Sequence, residues 1–290
     1  MKEALSANTL FHFTSQKKIL TSILRHGLYI RYSLESYGDI LKNKKELVLP
    51  MTCFCDIPLS KVKDHTDKYG SFAIGLSKDW GIKNGLSPVI YTNAKSETAT
   101  ILNKLTTDLG KFFNIEQTSE NKEFLSTQNN LTEEQKEILK NEQLNFLLNQ
   151  NEKIEELSDQ LGHFLKYIKP YEGKGYSNGN EFNNIRFYDE REWRYVPPKD
   201  LLKKIEVKDS YKRDFYKNET KRRLINIKLA THKKLTFAPN DIKFIIVEKD
   251  EQIPNLIDEI REIFRNNSTY DEMMLLTSRL ISMEQIIEDL

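Results

Sequence analysis

The chain has 290 residues, 38% of them hydrophobic and 30% charged, with a net charge of +1, a composition that supports a packed core without staples. The opening MKEALSANTLFHFTSQKK is too polar for a secretory leader and no run of apolar residues is long enough to span a bilayer, so the sequence predicts neither export nor a membrane span. Cys53 and Cys55 are too few and too close for a disulfide framework and fit a reducing compartment, the cytoplasm.

Thr9–Thr14 (TLFHFT) alternates Leu10, His12 and Thr14 with Phe11 and Phe13, the pattern of a strand that displays its histidine. Ser15 stands where it can cap a helix in which Ile19, Leu20, Ile23 and Leu24 keep helical spacing until Gly27 stops it. Leu47–Leu59 contains Pro50 and Pro58 and reads as extended, with both cysteines on one face. Ser60–Lys68 predicts a short helix leading through Tyr69 and Gly70 into a strand over Ser71–Leu76, and Val89–Thr92 predicts another strand.

Between Lys111 and Leu161 there is neither Gly nor Pro, and Asn, Gln, Glu and Lys dominate. Thr132-x-x-Gln135 has the form of a capping box. Leu144, Leu147 and Leu148, then Ile154, Leu157, Leu161, Leu165 and Ile168, follow a helical repeat. Residues 97–169 therefore read as a helical insertion within a single domain of 1–290. Pro170–Asn184, rich in Gly and Asn and carrying Tyr171, Tyr176 and Phe182, reads as an exposed, adaptable loop. The next segment, IRFYDEREWRYV, alternates as one strand with Tyr188, Glu190, Glu192 and Arg194 in one row. Further strands are expected at Leu224–Leu229 and Ile242–Val247, and amphipathic helices at roughly 254–265 and 270–288. The resulting class is α+β.

Glu190-x-Glu192 on one face of a strand brings two carboxylates together, each disfavouring ionisation of the other. The plainer local reading is a surface strand whose glutamates pair with Arg194 and Arg186. Tyr211–Arg223 mixes six Lys/Arg, two acids and three aromatics, a blend used to contact phosphates and stack on bases, although a solvated connection has the same composition. Residues 248–290 hold 11 acids against 4 Lys/Arg, which leaves about +8 on the preceding body, so an anionic ligand would prefer the body. Cys53-x-Cys55 lacks a second pair at ligand spacing, and no metal site is predicted. His26 ends a helix, where the dipole favours it, while His65, His163 and His232 form no constellation.

Several of these stretches together resemble the AbiGi family of bacterial abortive-infection proteins: LFHFT with the downstream ILRHGL, PMTCFCDIPL, KYGSFAIGLSKDWGIKNG followed by PVIY, and REWRYV. More distantly, the chain resembles the ADP-ribosyltransferase fold through a His-Tyr-Glu set in which His12 sits on the first strand, Tyr69 opens a middle strand and Glu192 closes a Glu-x-Glu motif. That resemblance implies a split, mainly antiparallel sheet with C-terminal helices around a cleft for NAD. It implies that His12 holds an NAD ribose, Tyr69 stacks on nicotinamide, with Tyr91 and Tyr32 as alternatives, and Glu192 binds the nicotinamide ribose and stabilises an oxocarbenium-like sugar. Glu190 would orient or deprotonate the nucleophile, and the loop with Tyr171, Tyr176 and Phe182 would select a macromolecular acceptor: RNA, DNA or protein. Such an effector of phage defence implies a controlling antitoxin or phage-sensing partner. The AbiGi resemblance carries a second implication, an antitoxin-like binding role in a two-gene system, and NAD hydrolysis is a third possible use of the same cleft.

Overall fold

A computed structural model describes residues 8–42, 46–115, 132, 137, 153–177, 180–266 and 268–289. Its strands are β1 (Thr9–Thr14), β2 (Leu28–Tyr29), β3 (Arg31–Ser36), β4 (Glu46–Cys55), β5 (Phe72–Ser77), β6 (Ser87–Pro88), β7 (Ile90–Thr92), β8 (Ile168–Pro170), β9 (Glu172–Ser177), β10 (Asn180–Arg186), β11 (Glu192–Tyr195), β12 (Lys234–Leu235), β13 (Ile242–Val247) and β14 (Leu280–Ser282). An eight-stranded sheet runs β14-β13-β5-β1-β4-β11-β6, with β3 also paired to β4. Within it only the β13–β14 pair is parallel, so the architecture is α+β with a mainly antiparallel sheet.

The period of two along a strand divides the core. On β13, Ile245 and Val247 enter the apolar cluster that contains Leu10, Leu20, Ile23, Leu24, Leu256 and Ile260. Ile246 points the other way, to Phe11, Val62, Met283 and Ile286. The first face is thus covered by α1 (Lys17–His26) and the helix Ile253–Phe264, and the second by the helix Met283–Asp289. Gly27 does stop α1, at φ 83°, and a Cβ there would lie 2.6 Å from the Leu235 carbonyl oxygen, so the stop also permits close packing of β12. The residue that caps α1 is Gln16 rather than Ser15, and its side chain makes no capping bond.

Four other expectations change. Leu224–Leu229 lies in the helix Glu219–His232. The run LINIKL fits either period, and the helical one buries Leu229 and part of Ile225 while leaving Leu224 and Ile227 outside. The stretch 270–288 is two helices, Tyr270–Thr277 and Met283–Asp289, separated by β14. Pro170–Asn184 is a β8 end followed by the β9–β10 hairpin rather than a loop. Tyr69 ends a helix, α2 (Lys63–Tyr69), rather than opening a strand, and β5 begins after Gly70.

Of the segment 97–169, the structure describes a helix over Glu97–Ile115, a helix over 153–165 and the start of β8. Ile168, expected on the helical repeat, is the first residue of that strand. Thr132-x-x-Gln135 and Leu144, Leu147 and Leu148 fall wholly or partly outside the described residues. Ala99, Leu102, Leu165 and Ile168 share an apolar cluster with Tyr37, Leu49 and Met51, so these helices pack on β4 and on the turn that follows β3. No described helix is long and apolar enough to cross a membrane.

Candidate functional site

The site grows from β4. On one edge of this strand Val48 exchanges both backbone hydrogen bonds with Tyr211, and the N–H of Asp56, just beyond the strand, donates to the Arg191 carbonyl. Alternate residues of a strand point their backbone groups to opposite edges. The residues between, including Cys53, therefore face the other edge, where β3 pairs along 46–51 and β1 meets β4 only at Phe11–Cys55. β1 and β3 part from each other along this edge. Pro50 is tolerated because its missing N–H lies on the edge away from β3. In the gap, His12 Nδ1 is 2.8 Å from the Cys53 carbonyl. A carbonyl only accepts, so the proton is on Nδ1.

A cleft of about 500 Å³ opens at this split, with His12, Tyr69, Glu35, Lys174 and Arg222 among its walls and Cys53, Cys55, Lys169, Glu190 and Glu192 lower down. The predicted single strand IRFYDEREWRYV is in fact three pieces. β10 ends at Arg186, a 3-10 turn spans Phe187–Glu190, Arg191 takes a left-handed φ of 43°, and β11 starts at Glu192. Glu190 and Glu192 therefore come from different elements and not from one row of a strand. They still converge, because Lys169 of β8 stands between them, its Nζ 3.0 Å from Glu190 Oε2 and 2.6 Å from Glu192 Oε2.

Both oxygens of Glu192 are engaged. Arg194 Nε donates to Oε1 at 2.5 Å and Nη2 to Oε2 at 3.1 Å. Arg194 is fully buried; it also bonds Glu35 through Nη2 and the Lys166 carbonyl through Nη1 at 2.8 Å. The Glu192 backbone is pinned as well, donating to Tyr91 Oη at 2.8 Å and accepting from Val89 at 3.0 Å. Tyr69 Oη donates to Glu190 Oε1 at 2.7 Å, and its ring stacks at 6.1 Å on His65, which stacks in turn at 5.8 Å on Phe13.

Three buried acids, Glu35, Glu190 and Glu192, thus face two buried bases, Lys169 and Arg194. Burial alone would raise the Glu192 carboxyl, but Arg194 and then Lys169 outweigh it and hold the group well below the ordinary carboxylate range. The mutual inhibition of ionisation expected for the Glu-x-Glu pair is overridden at Glu192 by these cations. At Glu35 burial wins over the attraction of Arg194 and Lys169, and the carboxyl is raised. Burial likewise lowers His12 and raises the Cys53 and Cys55 thiols and the Tyr69 phenol; Glu192 adds to the effect at Cys53, and Glu190 at Cys55 and Tyr69. The thiols are therefore neutral at pH 7 and poor nucleophiles.

Of the residues expected at a site, His12, Tyr69, Glu190 and Glu192 all line this cleft. Tyr171 does not. Its ring lies 5.6 Å from Tyr188, which meets Tyr91 at 5.3 Å. Tyr176 and Phe182 sit on the β9–β10 hairpin, but their side chains lie outside those described. From the hairpin it is Lys174, Gly175 and Ile185 that wall the cleft. The plainer reading of a surface strand fails, because Glu190, Glu192 and Arg194 are buried; Glu192 does pair with Arg194, but Glu190 pairs with Lys169, and Arg186 lies 3.9 Å from Asp189. Lys169 and Glu35 escaped the sequence reading, and His65, set aside there as part of no constellation, stacks between Phe13 and Tyr69. Among the described residues no group of three or more His, Cys, Asp and Glu side chains is placed to hold a metal ion.

Residues 26–248 match the family model described as "Putative abortive phage resistance protein AbiGi, antitoxin". That span contains Glu35, Lys169, Glu190, Glu192 and Arg194, and leaves out His12. The chain is also similar to the "Abortive phage resistance protein AbiGi" of Lactococcus lactis subsp. cremoris, at 27% identity over 270 residues, 84% of this chain and 90% of that one. No solved structure matches.

Proposed function

Because the chain belongs to the AbiGi family of abortive phage resistance proteins, we propose that it is the antitoxin-like member of a two-component defence system, a binding module rather than an enzyme. The observation that carries this reading is the closure of Glu192. A carboxylate that is to stabilise a sugar cation must present an oxygen to it, and here Arg194 and Lys169 occupy both oxygens in a buried cluster. Such a cluster fixes how β3, β8 and β11 meet, which suits a scaffold. The family description "antitoxin" supports the same role. The test is expression of this chain alone and beside its neighbouring genes. Harmless expression alone, with rescue of growth from a toxic neighbour that survives Glu192→Gln wherever the variant folds, is the expected result. Toxicity of the chain alone, abolished by Glu192→Gln in a folded variant, would overturn it.

A second reading has its own observation. His12, Tyr69, Glu190 and Glu192 converge on one cleft, as transfer of ADP-ribose from NAD to RNA, DNA or protein would need. As they stand, the residues do not fit NAD. Glu192 is fully engaged, and the Tyr69 hydroxyl and ring are held by Glu190 and His65. Incubation with labelled NAD and lysate decides between the two. Label in a polymer would establish transfer, and free ADP-ribose without labelled polymer would mark NAD hydrolysis. Intact NAD is the outcome expected for the binding module.

A further inference from the structure

Beside the cleft lies a second concavity of about 610 Å³, between β2–β3 and the helix Glu219–His232. The two share Arg31, Arg222 and Asn226 in their walls, so they form one continuous groove that runs from the outer surface to the split in the sheet. Its outer part is lined by Arg31, Arg222 and Arg223 against a single carboxylate, Glu219. Arg31 and Arg223 are exposed and make no ion pair among the described residues. Arg222 is held in place. It donates to the Tyr216 carbonyl at 2.5 Å, and its guanidinium lies 4.3 Å from the centre of the Tyr216 ring. Asn226 accepts from the Tyr32 N–H at 2.9 Å, which fixes its side chain and leaves its amide N–H groups as the donors it can offer.

We infer that this groove binds single-stranded nucleic acid, with backbone phosphates on Arg31, Arg222 and Arg223 and a base against Tyr216. Three guanidiniums line one groove against a single carboxylate, a surplus of charge that suits a polyanion better than one isolated anion, and guanidinium forks suit phosphate oxygens. An aromatic ring already layered with an arginine supplies the stacking surface that single-strand binders use. The groove lies between a strand and a helix, and the assignment is to a single strand because a duplex keeps its bases stacked on one another and offers none to a protein side chain. Ribose and deoxyribose strands share this chemistry, and both are probed. The inference is independent of the partner reading above, since it needs neither NAD nor a second protein.

The measurement is fluorescence anisotropy of the full chain with labelled oligouridylate, oligothymidylate and a duplex of the same length, across a salt series. Three phosphate contacts to a single strand give a slope of log affinity against log salt of about −2. The double variant Arg31→Ala, Arg223→Ala is expected to bind at least tenfold more weakly and to reduce that slope to about −0.7. Because neither side chain is ion-paired among the described residues, its thermal midpoint is expected to match the parent. Lys249→Ala, a charge removed from the acidic end of the chain, is expected to leave binding unchanged. Tighter binding of oligouridylate than of oligothymidylate, or the reverse, would name the source of the strand. No binding of either strand at low salt, equal loss with Lys249→Ala, or duplex binding as tight as single-strand binding would each overturn the inference.

Discussion

Arg194 shows how one buried side chain organises its neighbours. Its fork bridges Glu192 and Glu35, while Lys169 neutralises the rest of the cluster. Removing one partner of a buried pair leaves a charge without compensation, which costs about 3–5 kcal/mol. Arg194→Leu is therefore expected to lower stability by that amount in urea denaturation, enough to unfold a marginal domain. His12 carries a separate prediction. Its folded pKa lies below the value of 6.5 for the free group, so the unfolded chain binds the proton more readily. Stability from this residue is present above about pH 6.5 and falls as the pH drops below it. His12→Gln is expected to make the loss of stability between about pH 6.5 and 5 shallower, leaving the part due to His163, whose pKa is also lowered, first by burial. An unchanged slope of urea midpoint against pH would refute the buried, neutral His12. Glu35 acts in the opposite sense. Its raised carboxyl costs stability as the pH climbs above the ordinary glutamate value of about 4.3, so Glu35→Gln is expected to improve relative to the parent across that climb.

At the scale of elements, the sequence showed most where a period was strong. β1, α1, β5 and β13 were legible because Leu10, Leu20, Ile23, Ile74 and Ile245 keep their spacing and lie in one core. The Glu-x-Glu segment misled because alternation was real on paper while Arg191 adopts a left-handed φ and restarts the chain in a new direction; no residue type there announces it, since arginine is not a turn former. Lys169 could not be found from sequence at all. It reaches the glutamates only because β8 pairs in parallel with β7, a long-range event that local spacing does not encode. Two junctions can be tested. Gly70 has φ 99°, and a Cβ there would lie 2.4 Å from Ser15 Cα and 2.5 Å from the Thr14 carbonyl oxygen. Gly70→Ala combines strain with a clash at the end of α2 and is expected to cost on the order of 1–3 kcal/mol or more and to displace Tyr69 from Glu190. Thr269 begins the helix Tyr270–Thr277 with a reciprocal capping box to Glu272. Thr269→Ala is expected to cost about 1 kcal/mol by chemical denaturation, with the cleft undisturbed.

For the whole molecule, the division of charge read from the sequence takes a spatial form. The arginine groove belongs to the body, while the acidic stretch contributes the helices Ile253–Phe264 and Tyr270–Thr277, packed on the core through Leu256, Ile260 and Leu276. Opposite charges in separate regions allow one protein to hold a polyanion and, elsewhere, to present an acidic face.

The cation between the two glutamates also bears on modularity. By composition, the stretch from 97 onward looks like an appendage that could be trimmed away. Yet Lys169 is delivered at its far end, beside the Lys166 carbonyl that receives Arg194, and Ala99, Leu102 and Leu165 wall a shared core. Excising 97–169 would leave three acids facing one base, in a pocket stripped of an apolar wall. Protonation of the surplus carboxylates would relieve their repulsion, so a chain trimmed this way is expected to fold better in acid than at neutral pH. What looks like an ornament on the sheet is the clasp that lets the sheet close on its own negative charge.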